Sequence, residues 1–166
     1  MSEKSAFPRA EKPILGRDIV CVSHARLEDG PVLPLSSRMR TPMPIPTWNS
    51  LRHIASYSEN EVCGFIDSRW NPHFITNRHA QPGVNFYMDQ HEVRKTIERI
   101  AVANDTVLGV FHTHPSGATY PSQGDISGWP NRKLNWRYWI ATAQDVYEYE
   151  WINQPPDGFG LAKYGY

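Results

Sequence analysis

The sequence predicts an α/β fold in which helices pack against a mixed β-sheet. Apolar runs with strand character alternate along the chain with segments that repeat apolar residues at helical spacing. The length, 166 residues, is enough for one domain with a sizeable core, and we find no internal repeat and no room for a second domain. We place this domain at residues 47–152, between an N-terminal extension and an irregular tail at residues 153–166.

The extension, residues 1–46, combines a polar start, one short strand and a proline-rich arm. Residues 1–17 are expected to be loosely attached, whereas Asp18 to Ser23 contains the β-branched run of a strand. Prolines recur from Pro31 to Pro46, which leaves no room for a helix and favours an extended backbone. Two interpretations of the arm stay open: a strap on the domain surface, which we favour, or a segment that docks a partner.

The first half of the domain predicts a helix followed by a β-hairpin. Thr47 suits the N-cap of a helix with one apolar stripe. The segments Val62 to Ile66 and His73 to Thr76 have strand character, and Asn71-Pro72 between them favours a turn. We therefore expect these two strands to pair.

A second helix is predicted after the hairpin. Asp89 and Glu92 have the spacing of a capping box, in which each side chain bonds the backbone of the other residue. The apolar residues that follow recur at helical spacing and predict a buried face that includes Ala101. The helix should end near Asn104.

Two further strands are predicted near the end of the domain. The segment Trp136 to Thr142 has the apolar character of a buried strand. The segment Val146 to Trp151 alternates strictly, with aromatic residues on one face and mostly acidic residues on the other. We therefore expect its aromatic face to pack on the core and its acidic face to meet water.

Composition narrows the classes of function. Lys plus Arg, 17 residues, balances Asp plus Glu, 17 residues, so no net field attracts nucleic acid or an acidic membrane. The start of the chain lacks the apolar core of a signal peptide, and no apolar run is long enough to span a bilayer. Cys21 and Cys63 lie too far apart for a CxxC motif, and we interpret Cys63 as a small buried apolar residue rather than a nucleophile. We expect a cytoplasmic protein without a membrane partner, or a virion-associated one if a phage encodes it.

Two histidines stand at the end of a predicted strand. The run Thr106 to Phe111 is long enough for a buried strand, and His112 and His114 continue it. Side chains two residues apart on a strand project from the same face. The two imidazoles therefore point the same way, before Pro115 ends the strand and releases the chain into a loop.

A helix start follows this loop. In Ser122-x-x-Asp125 the serine suits the N-cap and the aspartate lies in the first helical turn. If the helix folds back over the end of the strand, one carboxylate meets two imidazoles. That set of three ligands suits zinc and leaves a fourth, tetrahedral position for water, which is typical of a catalytic site.

The pattern His-x-His-Pro, six residues, Ser-x-x-Asp resembles the signature of the JAB/JAMM (MPN-plus) metalloprotease family, and every position is filled. That family also uses a glutamate on an earlier strand, and Glu61-Val62-Cys63-Gly64 resembles this element. The stretch from Asn77 through Gln81-Pro82-Gly83 to Phe86 resembles a loop that borders the substrate groove in bacterial and phage members. The resemblance implies a three-layer mixed sheet with flanking helices, of cytidine-deaminase-like topology.

The resemblance also implies a set of roles. His112, His114 and Asp125 would bind one zinc ion per chain, Glu61 would act as general base and acid, and Ser122 would stabilise the oxyanion. The implied reaction is hydrolysis of an amide bond by a zinc metallopeptidase or isopeptidase. The implied substrate is a protein or a peptide, with a ubiquitin-like protein among the candidates.

Each of these residues has an ordinary structural explanation when taken alone. Ser-x-x-Asp is a common helix cap, and a histidine in a strand is usually a hydrogen-bonded core or surface residue. Their combination at this spacing carries the functional prediction. Three other histidines are interpreted as surface residues that bind no metal: His73, His79 and His91.

Two alternative functions stay open. The proline-rich arm and the aromatic residues favour a component of a phage tail or similar assembly, whose partners would be assembly proteins. The stretch His-x-His-Pro-Ser-Gly resembles one in the DNA-repair-associated RadC family. This resemblance makes a nucleic-acid-associated module the second alternative. The balanced charge offers the second alternative no support.

Overall fold

A computed structural model describes residues 41–128 and 134–150, together with the backbone of residues 19–23 and 151. The predicted loose start, most of the proline-rich arm and the irregular tail lie outside these ranges, as does Pro130, where the short helix that starts at Ser122 is expected to stop. The described elements are β1 (Ile19–Ser23), α1 (Ile45–Tyr57), β2 (Cys63–Asp67), β3 (Pro72–Ile75), α2 (Gln90–Val102), β4 (Val107–Thr113), α3 (Gln123–Ser127), β5 (Arg137–Ala141) and β6 (Val146–Trp151). None of the helices in the described part has the length and apolar character needed to cross a membrane.

The strands form one sheet in the order β1-β6-β5-β4-β2-β3. The pair β4 and β5 is parallel, and the other neighbouring pairs are antiparallel. Side chains alternate between two faces, so each face supplies its own apolar cluster. One cluster joins α1 to the sheet through Leu51, Phe111, Trp139 and Val146, and the other joins α2 to it through Phe65, Val93, Val110 and Ile140. The predicted α/β fold with a mixed sheet and flanking helices is confirmed.

The N-terminal extension contributes to this architecture. Strand β1 pairs with β6 at one edge of the sheet. Met43 is fully buried in the cluster beneath α1. Part of the predicted extension therefore stabilises the sheet, while the limits proposed for the domain stay a prediction.

Helix α1 begins earlier than the sequence indicated. Its N-cap is Pro44, and Pro46 lies in the first turn, where the missing N–H has no helical partner to lose. The Thr47 hydroxyl donates instead to the carbonyl of Trp70 at 2.7 Å. The prediction that Thr47 caps the helix was wrong, as was the prediction that prolines up to Pro46 exclude a helix.

The predicted hairpin is confirmed, because β2 and β3 pair antiparallel with Cys63 opposite Ile75. Gly64 lies in the middle of β2, and a Cβ atom there would lie 2.0 Å from the carbonyl oxygen of His73. Glycine is therefore required for the two strands to pair at this point. Glu61 lies two residues before this constrained strand.

Helix α2 is capped by Asp89, whose carboxylate accepts from the amide of His91. The reciprocal half of the predicted capping box is absent, because both carboxylate oxygens of Glu92 bind Thr76, at 2.8 and 2.6 Å. Ala101 is exposed rather than buried. The buried face consists of Val93, Thr96 and Ile100.

Strand β6 packs its aromatic face on the core as predicted, but its acidic face does not meet water. Glu148 is 2% exposed and binds Arg137 through two hydrogen bonds of 2.9 and 3.0 Å. The guanidinium also donates to the carbonyl of Thr41 and lies over Trp70 and Trp139. The strand therefore buries both faces, since α1 and the chain before it cover the side that the alternation predicted to be exposed.

Candidate active site

The two histidines lie at the centre of the sheet. Strand β4 runs between β2 and β5, and His112 lies in it next to Cys63 and Ile140. His114 follows the strand, with its amide still bonded to the carbonyl of Ala141 at 2.9 Å. Both side chains are buried on the face that carries α2, and their ring centres lie 4.8 Å apart. The predicted common direction of the two imidazoles is confirmed.

The loop after β4 orients His114. Its Nδ1 lies 3.0 Å from the carbonyl oxygen of Ala118, which can accept a hydrogen bond but cannot donate one. Nδ1 therefore carries the proton in the neutral ring, and Nε2 presents its lone pair to the site. The hydroxyl of Tyr149 donates to the carbonyl of Thr119 and fastens the same loop to β6.

Helix α3 brings the carboxylate of Asp125 over the end of β4. The Ser122 hydroxyl oxygen accepts from the Asp125 amide at 3.1 Å, and an Asp125 carboxylate oxygen accepts from the Ser122 amide at 2.8 Å. Ser122 is therefore the N-cap of α3, as predicted, and the two hydrogen bonds together form a capping box. It fixes Asp125 in one orientation, with the side chain buried.

Three ligand atoms converge at this point. Nε2 of His112 lies 3.0 Å from Nε2 of His114, and Oδ2 of Asp125 lies 3.2 and 3.1 Å from these two nitrogens. Tetrahedral zinc with ligands at about 2.0–2.1 Å separates its ligand atoms by about 3.3 Å. Two imidazole nitrogens and a carboxylate oxygen so close together repel one another unless a cation or a proton lies between them. The donor set and its spacing therefore fit a zinc ion.

Glu61 completes the group. The residue is 5% exposed, and Oε2 of its carboxylate lies 4.0 Å from Nε2 of His114. One ligand atom from each of the four residues lies within 4.8 Å of the others. Oε1 of Glu61 is buried and finds no hydrogen-bond partner among the described residues. The site thus contains a desolvated carboxylate that points towards three metal-type ligands and is not neutralised by hydrogen bonds.

The electrostatics follow from burial and from these contacts. Burial raises the pKa of Glu61 to about 7, against the opposing effect of His114 and with a small addition from Asp125. Burial also disfavours ionised Asp125, but the two histidines outweigh it and hold that pKa well below its usual range. Burial lowers the pKa of His112, whereas the bond to Asp125 overcomes burial and raises the pKa of His114. A neutral His112, an ionised Asp125 and a Glu61 that exchanges its proton near neutral pH are therefore compatible.

The remaining predicted residues lie around this group. Ser122 is exposed at the cap of α3, and no contact in the described part uses its hydroxyl proton. His79 and His91 lie outside the group. His73 also lies outside it, but it is not a plain surface residue, because Nε2 lies 2.8 Å from a carboxylate oxygen of the buried Asp67.

Sequence reasoning missed how His112 is supported. Its ring stacks on Phe86, with ring centres 4.4 Å apart and planes inclined by 27°. Phe86 entered the sequence analysis only as part of a loop that resembles the border of a substrate groove. The contact joins residues far apart in sequence, so no local sequence pattern predicts it.

Comparison with known proteins agrees with this geometry. The profile of prokaryotic homologues of the JAB domain matches residues 49–153. A desampylase of Pyrococcus furiosus is 34% identical over 105 residues, which are 55% of this chain and 74% of that protein. A desampylase of Haloferax volcanii is 33% identical over 78 residues, 42% of this chain and 56% of its own length.

Among solved structures, a protein from Desulfitobacterium hafniense determined in solution is 19% identical to this chain. It aligns with a TM-score of 0.49 over 70% of this chain and 92% of its own. The family assignment does not depend on this alignment. The profile match over most of the chain and the similarity to the Pyrococcus desampylase show that the chain belongs to the JAB family, among its prokaryotic members.

Proposed function

We propose that this chain is a zinc-dependent isopeptidase, which hydrolyses the amide bond between a ubiquitin-like protein and the protein or peptide that carries it. The observation that carries the proposal is the buried group of His112, His114 and Asp125 with the carboxylate of Glu61 beside it. The ubiquitin-like substrate is supported by the two relatives named desampylase, since that name denotes removal of such a modifier.

In this proposal the metal is held by Nε2 of His112, Nε2 of His114 and a carboxylate oxygen of Asp125. Zinc supplies Lewis acidity, which makes a water molecule acidic near neutral pH and polarises a carbonyl oxygen. The contacts of His114 with Ala118 and of Asp125 with Ser122 keep these ligands oriented. The protein would therefore present its ligands in a nearly fixed arrangement.

Glu61 is the proposed general base and acid. Its carboxylate has no competing hydrogen bond within the described residues, and its pKa of about 7 suits a group that takes and returns a proton near neutral pH. It would accept the proton of the attacking water and deliver it to the leaving amine. The Ser122 hydroxyl, whose oxygen already accepts from the Asp125 amide, would donate its own proton to the developing oxyanion.

The other two predicted functions remain predictions. Tail-assembly genes beside this gene would favour the phage-assembly role, whereas a gene for a ubiquitin-like protein or its activating enzyme would favour the isopeptidase. Binding to DNA that weakens steeply with salt would be needed to support the nucleic-acid role.

The first test is metal content, measured by mass spectrometry on protein purified without added chelator. We expect about one zinc ion per chain in the wild type, and less than about a tenth of that in His112→Ala and in Asp125→Asn. His91→Ala is the matched control, because this exposed histidine lies outside the group.

The wild type and Asp125→Asn, each incubated with zinc, are then compared on a ubiquitin-like protein joined through its C-terminus to a lysine side chain of a labelled peptide. Cleavage by the wild type alone supports the proposal. Absence of zinc from the wild type after incubation with the metal would overturn it, and so would equal zinc content in all variants.

A further inference from the structure

Asn77, two residues after the end of β3, connects separate parts of the site through a single side chain. Its Nδ2 donates to the carbonyl of Glu61 at 2.9 Å and to the carbonyl of Asn85 at 3.0 Å. Its Oδ1 accepts from the amides of His79 and Tyr87, each at 3.0 Å. Both donor hydrogens and both acceptor lone pairs of the amide are therefore in use.

Three of these four partners belong to one loop, residues 78–88, which we call the rim loop. Asn77 and Met88 form an isolated bridge that closes its base. At its far side the carbonyl of Pro82 accepts from the amide of Glu61 at 2.7 Å. Near its end Phe86 stacks on His112. The rim loop therefore touches the backbone of Glu61 and the ring of His112.

Glu61 depends on these backbone contacts for its orientation. It lies outside β2, and the described residues offer its carboxylate no hydrogen bond that would fix the side chain. Its amide is held by Pro82 and its carbonyl by Asn77. The next residue, Val62, is held to Thr113 on the neighbouring strand through both its amide and its carbonyl. Loss of the Asn77 contact would leave one side of Glu61 unsupported.

The geometry points to Asn77 as a positioning residue, which fixes the Glu61 backbone and the rim loop together so that the carboxylate stays beside the metal ligands. This inference rests on the proposed isopeptidase function. Asn77 touches none of the three proposed metal ligands in the contacts described, so it should influence proton transfer more than metal binding. A displacement of about 1 Å in a catalytic group lowers the rate by about a hundredfold, so a modest shift of Glu61 would be measurable.

Two substitutions separate the functions of this side chain. Asn77→Leu keeps a similar size and removes all four hydrogen bonds. Asn77→Asp keeps an acceptor for the amides of His79 and Tyr87 but loses both donations, including the one to Glu61. The matched control is Asn71→Leu, because Asn71 lies in the turn of the same hairpin, at the opposite end, where its side-chain amide donates to Asp67 at 3.3 Å.

Each zinc-loaded protein is measured for kcat and KM on the isopeptide substrate, for zinc affinity by competition with a chelator, and for hydrogen exchange of the rim loop. For both Asn77 variants we expect kcat to fall by at least about tenfold while KM and zinc affinity stay within about threefold. Rim-loop amides should exchange at least about tenfold faster in Asn77→Leu, whereas the amides of His79 and Tyr87 should stay protected in Asn77→Asp. Asn71→Leu should match the wild type in all three measurements.

The inference is overturned if kcat in Asn77→Asp stays within twofold of the wild type, or if zinc affinity falls in parallel with kcat. It is also overturned if only KM changes. If Asn77→Leu does not fold, Asn77→Asp alone decides. If the wild type cleaves no amide substrate, the proposed function fails, whereas unchanged exchange in Asn77→Leu would show separately that Asn77 does not fasten the rim loop.

Discussion

The two ends of strand β2 bury carboxylates in opposite ways. At the end of the strand Asp67 is 3% exposed and accepts from the amides of Arg69 and Asn71, from the Asn71 side chain, and from His73. Before its start Glu61 is 5% exposed, yet its carboxylate makes no hydrogen bond with any described residue. Burial of the carboxylate is therefore compensated by hydrogen bonds at one end of the strand and not at the other.

The pKa values of the two groups follow this difference. Burial acts to raise the pKa of both carboxyls. At Asp67 the hydrogen bonds from His73, Asn71 and Arg69 outweigh burial, and the pKa lies below its ordinary value. At Glu61 no such bonds oppose burial, and the pKa rises to about 7.

A buried charge with a full set of partners is ordinarily structural, whereas one without partners costs stability and is retained where it serves chemistry. The ion pair of Arg137 and Glu148 on the opposite face belongs to the first kind, since the guanidinium binds both carboxylate oxygens and a backbone carbonyl. We therefore interpret Asp67 as structural and Glu61 as functional. Substitutions at the two ends of β2 should produce opposite combinations of effects.

The largest expected effect is on hydrolysis, in Glu61→Gln. The amide keeps the shape of the side chain but cannot take the proton of water, so hydrolysis should fall by at least about a hundredfold. This corresponds to about 2.7 kcal/mol in the barrier. Zinc affinity should stay within about threefold, and the free energy of unfolding should stay equal or rise, because a buried carboxylate without a hydrogen bond from the described residues is removed. Steady-state kinetics, zinc titration and urea unfolding measure these three quantities.

Two results would contradict this interpretation of Glu61. Hydrolysis within a few-fold of the wild type would remove Glu61 from the mechanism. A large loss of stability in Glu61→Gln would mean that the carboxylate has a structural role, and the contrast between the two ends of β2 would disappear.

The opposite combination is expected for Asp67→Asn. The new side chain keeps one oxygen for the backbone amides of Arg69 and Asn71 but places N–H hydrogens against the Asn71 side-chain amide and against His73, so the free energy of unfolding should fall by about 2 kcal/mol. Hydrolysis per folded molecule and zinc content should not change, since Asp67 lies outside the metal-type group. Urea unfolding monitored by Trp fluorescence gives the first quantity. Hydrolysis is measured at a temperature well below that at which Asp67→Asn unfolds. If the folded variant is then less active than the wild type, the two ends of β2 are coupled.

The part of the site that sequence predicts is the part fixed by local geometry. The common direction of His112 and His114 follows from the two-residue period of a strand. The placement of Asp125 follows from a helix cap that spans three residues. Both relations hold wherever these elements form, so the pattern alone was enough to predict them.

The unpredicted contacts depend on register and on which segments cover each face of the sheet. Glu148 was expected in water because β6 alternates, but the neighbouring antiparallel strand places Arg137 close enough for an ion pair, and the chain at Thr41 covers both. Asn77 likewise reaches Glu61, 16 residues earlier, only because the hairpin returns it to the start of β2. Neither distance can be read from spacing along the chain. The sequence therefore indicated the proposed ligands more completely than the residues that support them.

The smallest expected effect is a pH dependence that isolates Asp67. Because the folded pKa of Asp67 lies below its ordinary value, its ionised form stabilises the fold at pH values above that ordinary value. This contribution should be lost as pH falls from about 4 through the folded pKa, since the unfolded chain takes up its proton first. The difference in the free energy of unfolding between wild type and Asp67→Asn should therefore shrink as pH falls from about 5 towards 3. Titrating groups away from Asp67 are common to both proteins and cancel in the difference, whereas His73 contacts Asp67 and does not cancel, so the test is restricted to this acidic range. A difference that grew on acidification would mean that the Asp67 pKa is raised by burial like that of Glu61, and the two ends of β2 would then not differ in the way their hydrogen bonds indicate.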